Sequence, residues 1–266
     1  MSLSLNRPDG ARLSCRVTGS GPDLILISGL SGTAAFWEPV IAALGAGQRI
    51  ITLDQRGIAA SSRGTKALTI DTLAEDCLAV LDVLGSEQVA IVGHSTGGVI
   101  AQTMGLMAPG RINGLALTCT WARADRYMHE LFRSRLELLR SLPKEYAASM
   151  LFIGYPAGWL RDNWQALDAA LAGAPLMPSQ QDVIAERIAA LLAFDRTREI
   201  AGLRPPVVVI GAEDDQVVPA YLQRELAAAI PGARLAILAR GGHFCPISRR
   251  EEFTGILKTW LTGMVA

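Results

Sequence analysis

A mostly parallel α/β sheet, flanked by helices and carrying an inserted helical cap, is the fold class this sequence predicts. Short apolar runs of strand length alternate with helical stretches along the chain. Those runs are near-continuous rather than alternating in polarity, as in strands buried on both faces of a parallel sheet. The alternation then stops between about residues 122 and 200 before it resumes.

In chain order, Leu3–Leu5 and Leu13–Val17 flank Pro8-Asp9-Gly10 and read as a hairpin. Leu24–Ile27, Ile50–Leu53, Val89–Val92, Leu115–Leu117, Val207–Ile210 and Leu235–Leu238 follow as parallel strands, which makes eight in all. The helices expected between them cover Trp37–Leu44, Thr72–Leu84, Gly98–Met107, Ala220–Ala229 and Glu251–Leu261. Asp71 and Glu75 place acidic charge early in the second of these, and Gly85 closes it. Tyr127–Leu142, Glu145–Phe152, Trp159–Leu171 and Asp182–Phe194 read as helices separated by Pro143, Pro156, Pro175 and Pro178. The expected organisation is a core of residues 1–121 and 201–266, with 122–200 as a lid over the carboxyl ends of the strands.

Composition narrows the function classes. Half of the 266 residues are hydrophobic, enough for a sizeable core and too many for a disordered chain. Lys+Arg and Asp+Glu are equal at 25 each, so the basic excess of a phosphate-binding nucleic-acid partner is missing. The longest apolar runs fall far short of a membrane span, and residues 1–8 lack the pattern of a secretory leader. Four scattered cysteines, Cys15, Cys77, Cys119 and Cys245, suit a reduced, cytoplasmic protein without a metal site.

The sharpest chemical signal is Gly93-His94-Ser95-Thr96-Gly97, placed between a strand and a helix. This is the context of a nucleophile elbow, in which a strained turn lifts the serine hydroxyl above the sheet. A serine needs a base, and the chain holds three histidines. His94 adjoins Ser95 and cannot easily turn back on it; His129 lies in the helical insertion. His243, after the last strand and two glycines, is the expected base. The orienting acid is expected in Glu213-Asp214-Asp215, after Val207–Ile210. Asp215 is the first choice, Asp214 the second, Glu213 the third, and Asp125 a minor alternative. The order Ser95, Asp215, His243 fits a triad built on a parallel sheet. An oxyanion hole is expected from the N–H groups of Thr96 and Leu30, the latter in Ser28-Gly29-Leu30-Ser31-Gly32. No P-loop lysine follows that loop, so a nucleotide is not expected. Trp121, Tyr127, Phe152, Tyr155 and Trp159 crowd the insertion and are expected to line a small apolar substrate cavity. Arg123, Arg126, Arg133 and Arg135 read as a solvated helix face, with a carboxylate clamp as the alternative.

The chain resembles the α/β-hydrolase superfamily over essentially its whole length. Beside the elbow, Asp54-Gln55-Arg56-Gly57 and Ser61 resemble that superfamily's D-x-R-G-x-G-x-S segment, with Ala59 in place of the second glycine. That segment implies a buried Arg–Asp brace. Leu26–Leu30, Asp54–Gly57, Leu151–Trp159 and Gly241-Gly242-His243 look like the aminoacrylate hydrolase group of pyrimidine catabolism. The core is also similar to 3-oxoadipate enol-lactonases. Some members of the first group lack serine at the elbow, whereas this chain has Ser95. The resemblance implies hydrolysis of a small ester, lactone, amide or enamine-type C–N compound by a monomer or homodimer. No cofactor, nucleic-acid or membrane partner is implied. A cofactor-free haloperoxidase or perhydrolase and a non-catalytic ligand receptor are the alternatives on the same core.

Overall fold

Alternation along β-strands explains how short apolar runs become a sheet with two buried faces. In the computed structural model, which describes residues 1–30 and 32–265, Leu24 and Leu26 pack into one core while Ile25 and Ile27 pack into the other. The same division separates Val208 and Ile210 from Val207 and Val209. Successive side chains of a strand point to opposite faces, so every residue of such a run finds an apolar partner.

The strands are β1 (Ser2–Asn6), β2 (Arg12–Thr18), β3 (Asp23–Ile27), β4 (Arg49–Asp54), β5 (Val89–His94), β6 (Ile112–Thr118), β7 (Val207–Ala212) and β8 (Arg234–Leu238). They form one eight-stranded sheet in the order β1-β2-β4-β3-β5-β6-β7-β8. β1, β2 and β4 pair antiparallel, and β4, β3 and β5 through β8 pair parallel. The strand order reverses between β3 and β5. Ligands of open α/β sheets bind in the crevice that such a reversal leaves at the carboxyl ends.

The helices are α1 (Glu38–Leu44), α2 (Ile70–Val83), α3 (Thr96–Met107), α4 (Arg126–Ser141), α5 (Pro143–Gly154), α6 (Ala157–Arg161), α7 (Gln165–Ala172), α8 (Pro178–Ala193), α9 (Ala220–Ala229), α10 (Cys245–Ser248) and α11 (Arg250–Val265). None among the described residues is long and apolar enough to cross a membrane. Several boundaries differ from expectation for identifiable reasons. Pro143 and Pro178 begin α5 and α8 instead of separating helices. The first helical position needs no N–H donor and suits the fixed φ of proline. Thr69 caps α2 by accepting a 3.1 Å bond from the Thr72 N–H, so the helix starts ahead of Asp71. The single helix expected over Trp159–Leu171 is two, α6 and α7. Asn163 Nδ2 donates to the Trp159 carbonyl at 2.8 Å, the local competition by which asparagine interrupts a helix.

The brace expected at Arg56 is present. Its guanidinium meets Asp76 through Nε to Oδ2 at 2.7 Å and through the second amino group to Oδ1 at 2.8 Å. Both side chains are buried, and Arg56 also pairs with Asp9. Removing one partner of such a pair strands the other charge in a poor solvent. Asp76→Ala is therefore expected to lose about 3–5 kcal/mol of stability. Urea unfolding checks this, and a loss below about 1 kcal/mol would contradict it.

Candidate active site

Four loops meet above the carboxyl ends of β3, β5, β7 and β8. The sharpest is the turn from β5 into α3. Ser95 has φ 55° and ψ −119°, a left-handed conformation that costs a non-glycine residue energy. The Ser95 N–H donates to the Thr118 carbonyl at 2.8 Å, and Thr120 Oγ1 donates to the Ser95 carbonyl at 2.9 Å. These bonds hold the strained turn in place. The flanking glycines are sterically required: a Cβ on Gly93 would strike the Gly97 backbone, and one on Gly97 would strike the Ile27 carbonyl. Thr96 follows as the first residue of α3. The N–H groups of a helix's first turn have no intrahelical acceptor and favour negative charge.

The loop after β8 brings His243 to the same place. His243 Nδ1 lies 2.9 Å from Asp215 Oδ2, and both residues are buried. Asp215 is itself held by the Val217 and Val218 N–H groups, which donate to Oδ1 at 2.8 and 2.9 Å. With Nδ1 engaged, the other ring nitrogen is left for a reacting group. His243 and Ser95 both line one cavity of about 510 Å³. No hydrogen bond joins them among the described residues; in unliganded sites such contacts are often long and tighten with substrate.

The other acids have separate tasks. Asp214 Oδ1 accepts from the Gly242 N–H at 2.8 Å and so shapes the glycine turn ahead of His243. Glu213 is exposed and pairs with Arg224 at 2.6 Å. Asp125 caps α4 through the Met128 N–H at 3.0 Å and receives the Tyr221 hydroxyl. His129 is exposed on α4. Cys119 and Cys245, distant in sequence, bring their sulfurs to 3.6 Å beside this centre, and burial pushes the Cys119 thiol well up.

His94 is enclosed, with both ring nitrogens unpartnered, and stacks on Phe36 at 5.0 Å. Burial first, and the neighbouring His243 second, hold its pKa well below the usual 6.5. The unfolded chain therefore binds a proton that the folded chain refuses, and stability falls as pH drops below about 6.5. At pH 5.5 this costs the wild type on the order of 1 kcal/mol, or roughly 2–4 °C in Tm, relative to pH 7.5. Thermal scans of His94→Phe are expected to show a pH dependence smaller by that amount; an unchanged dependence would contradict it.

Helical segments between β6 and β7 roof the cavity, with α4 and α5 supplying much of its wall. Of the five aromatics expected there, the structure brings only Tyr155 to the wall. Trp121 is fully buried in the core, and Phe152 is 56% exposed. Tyr127 faces out and ties α4 to the post-β7 loop by donating to the Gln216 carbonyl at 2.5 Å. Trp159 stands behind Tyr155, stacked at 4.0 Å. The wall is formed instead by Phe132, Tyr146, Met150, Leu151 and Phe244. Helical spacing carries that signal: Tyr146, Met150 and the adjacent Ala147 and Leu151 share a stripe that Phe152 leaves, and Met128, Phe132 and Arg135 share one that Tyr127 leaves. Arg135 is correspondingly buried at the wall, its guanidinium 4.3 Å above the Tyr146 ring, while Arg123, Arg126 and Arg133 are exposed.

The loop after β3 closes the remaining side. Gly29 packs close beneath Ser95, where an added Cβ would lie 3.3 Å from that of the serine. Leu30 lines the cavity, and Ser31 lies outside the described residues. Arg187 of α8 donates from Nε to the Leu30 carbonyl at 2.6 Å. No sequence motif marks Arg187, and its partner Gln55 occupies the variable position of the Asp54-Gln55-Arg56-Gly57 segment.

A strained serine between a strand and a helix, opposite a buried histidine–carboxylate pair on an eight-stranded sheet, is the arrangement of an α/β hydrolase. Residues 22–249 match the alpha/beta hydrolase fold family, and the chain belongs to it. Among its relatives is a protein of Azorhizobium caulinodans named "Putative carbamate hydrolase RutD", 35% identical over 235 residues and covering 88% of each chain. A solved hydrolase from Pseudomonas aeruginosa superposes with a TM-score of 0.88 at 29% identity, over 98% of both chains. The enol-lactonase of Burkholderia xenovorans superposes with a TM-score of 0.86 at 26% identity, over 95% of this chain and 97% of its own. The chain is thus a hydrolase-family enzyme related to the carbamate-hydrolase group and similar to an enol-lactonase.

Proposed function

We propose that this chain is a serine hydrolase that cleaves a small ester, lactone, amide or enamine-type C–N bond through an acyl-enzyme on Ser95. The observation that carries the reading is the buried 2.9 Å contact of His243 Nδ1 with Asp215, opening onto the cavity that holds Ser95. In this reading His243 takes the Ser95 proton as Oγ attacks the carbonyl carbon. The Thr96 and Leu30 N–H groups receive the negative charge that gathers on the carbonyl oxygen; one such donor is worth about 3 kcal/mol in the barrier. His243 then gives its proton to the departing group, the C–O or C–N bond breaks, and water attacks the acyl-enzyme with His243 again as base.

Residues 122–200 act as a cap that sets which acyl group fits. The cavity of about 510 Å³ suits a small molecule, and its apolar wall with few polar groups is typical of such sites. Kinship with the carbamate-hydrolase group favours C–N substrates, and similarity to the enol-lactonase favours lactones. Four buried free thiols fit a reducing compartment such as the cytoplasm.

A substrate panel tests the proposal: p-nitrophenyl esters, enol-lactones, carbamates and acyl-enamides, with intact-mass detection of the protein during turnover. Hydrolysis of one class with a transient acyl adduct on the chain is the expected result. Ligand binding without turnover, or peroxide-dependent halogenation as the sole activity, would contradict it.

A further inference from the structure

We infer that Arg187 is a positioning residue for the oxyanion donor: from α8 it holds the carbonyls of Gly29 and Leu30, and so the peptide planes on either side of the Cα of Leu30, whose N–H is to receive the developing charge. The inference rests on the proposed use of the Leu30 N–H.

Arg187 is completely buried and bonds only neutral oxygens among the described residues. Its Nε donates to the Leu30 carbonyl at 2.6 Å, and one amino group donates to the Gly29 carbonyl at 3.4 Å. The same amino group meets Gln55 Oε1, and Gln55 Nε2 donates to the Ser28 carbonyl at 2.5 Å. Two buried side chains thus hold three successive carbonyls of the loop after β3.

The Gly29 carbonyl and the Leu30 N–H are the two ends of one peptide plane. The chain has no cis bond among its described residues, so these ends point in opposite directions. Holding the carbonyl toward Arg187 therefore turns the N–H away from it. A peptide whose carbonyl accepts a hydrogen bond is also polarised into a better N–H donor, more so in a medium of low dielectric.

Placing a guanidinium there is costly. Burial draws the Arg187 pKa down to about 10, which still leaves it charged at neutral pH. Its remaining amino group is buried without a partner. A buried charge without a counter-charge is a poor means of gaining stability. Local rules broken in this way are characteristic of functional sites.

The test uses a fluorophosphonate probe, whose attack by Ser95 builds negative charge on the phosphonyl oxygen. Inactivation of the full chain is resolved into kinact and KI for the wild type, Arg187→Met, Arg187→Lys and Ser95→Ala. Arg187→Met is expected to lower kinact roughly 10- to 100-fold with KI held within about threefold, and labelling at Ser95 to reach completion at long times. Arg187→Lys, which keeps the charge and one donor, is expected to recover at least about threefold of that loss. An unchanged kinact in Arg187→Met, with or without a lower Tm, would overturn the inference, as would a raised KI at constant kinact. Labelling of Ser95→Ala as fast as the wild type would instead overturn the Ser95 reading beneath it. Should Arg187→Met fail to fold, Gln55→Leu replaces it, with an expected fall in kinact of about tenfold; no fall would overturn the inference.

Discussion

Ser95→Ala is expected to lower kcat by about 10⁴- to 10⁶-fold while leaving KM within a few-fold of wild type. The substitution removes the attacking oxygen and little else. The elbow is held by backbone bonds, from the Ser95 N–H to Thr118 and from Thr120 to the Ser95 carbonyl, and neither uses the hydroxyl. Alanine tolerates the positive φ no better than serine, so the strain of the turn persists in the variant. Some rate above that in water is expected to survive, because the N–H groups of Thr96 and Leu30 and the cavity wall remain. Steady-state kinetics on the best substrate of the panel measure this. Retention of more than about a tenth of the wild-type kcat would exclude Ser95 as nucleophile.

Asp215→Asn is expected to cost about 10⁴-fold in kcat, the scale known for the corresponding change in serine proteases. Asp215 Oδ1 accepts two backbone N–H donors and Oδ2 faces His243 Nδ1, so its carboxylate is surrounded by donors. An amide in that place must turn its NH2 toward one of them. Turned toward His243, it forces the proton from Nδ1 to the other ring nitrogen and removes the base. Asp214→Asn provides the contrast. Asp214 accepts from the Gly242 N–H, a bond that the amide oxygen of asparagine can also accept. Its expected loss is less than about tenfold, since only the aim of the loop changes. A larger loss in Asp214→Asn than in Asp215→Asn would reverse the assignment of the acid.

The features legible in the sequence depend on short-range rules. The run Val89–Val92 followed by Gly93-His94-Ser95-Thr96-Gly97 specifies a strand, a turn and a helix, because each glycine answers a clash within a few residues or with the neighbouring strand. The continuous apolar runs specify a sheet buried on both faces because no polar face is available to meet water. Ala59 stands where the resembled segment has a glycine, and its φ of 47° lies in the left-handed region that glycine adopts most readily.

What escaped reading depends on direction and on distance. Aromatic content located the roof of the cavity but not its inner surface, since Phe152 and Tyr127 fall one residue off the stripes that face inward. Pro143 and Pro178 suggest breaks in the sequence and are helix starts in the fold, since the first turn has no use for the missing N–H. The bond from Arg187 to Leu30 spans 157 residues, and no local pattern encodes a partner so far along the chain. Cys119 and Cys245 meet for the same reason, through loops at the ends of strands that are distant in sequence.

Peptide mapping after fluorophosphonate treatment, done side by side on the wild type and His243→Ala, tests the central claim most directly. A single modified peptide carrying the probe on Ser95, reduced to trace labelling in His243→Ala, is the result the account predicts. A probe found on another residue, or equal labelling of Ser95 without the imidazole, would contradict it.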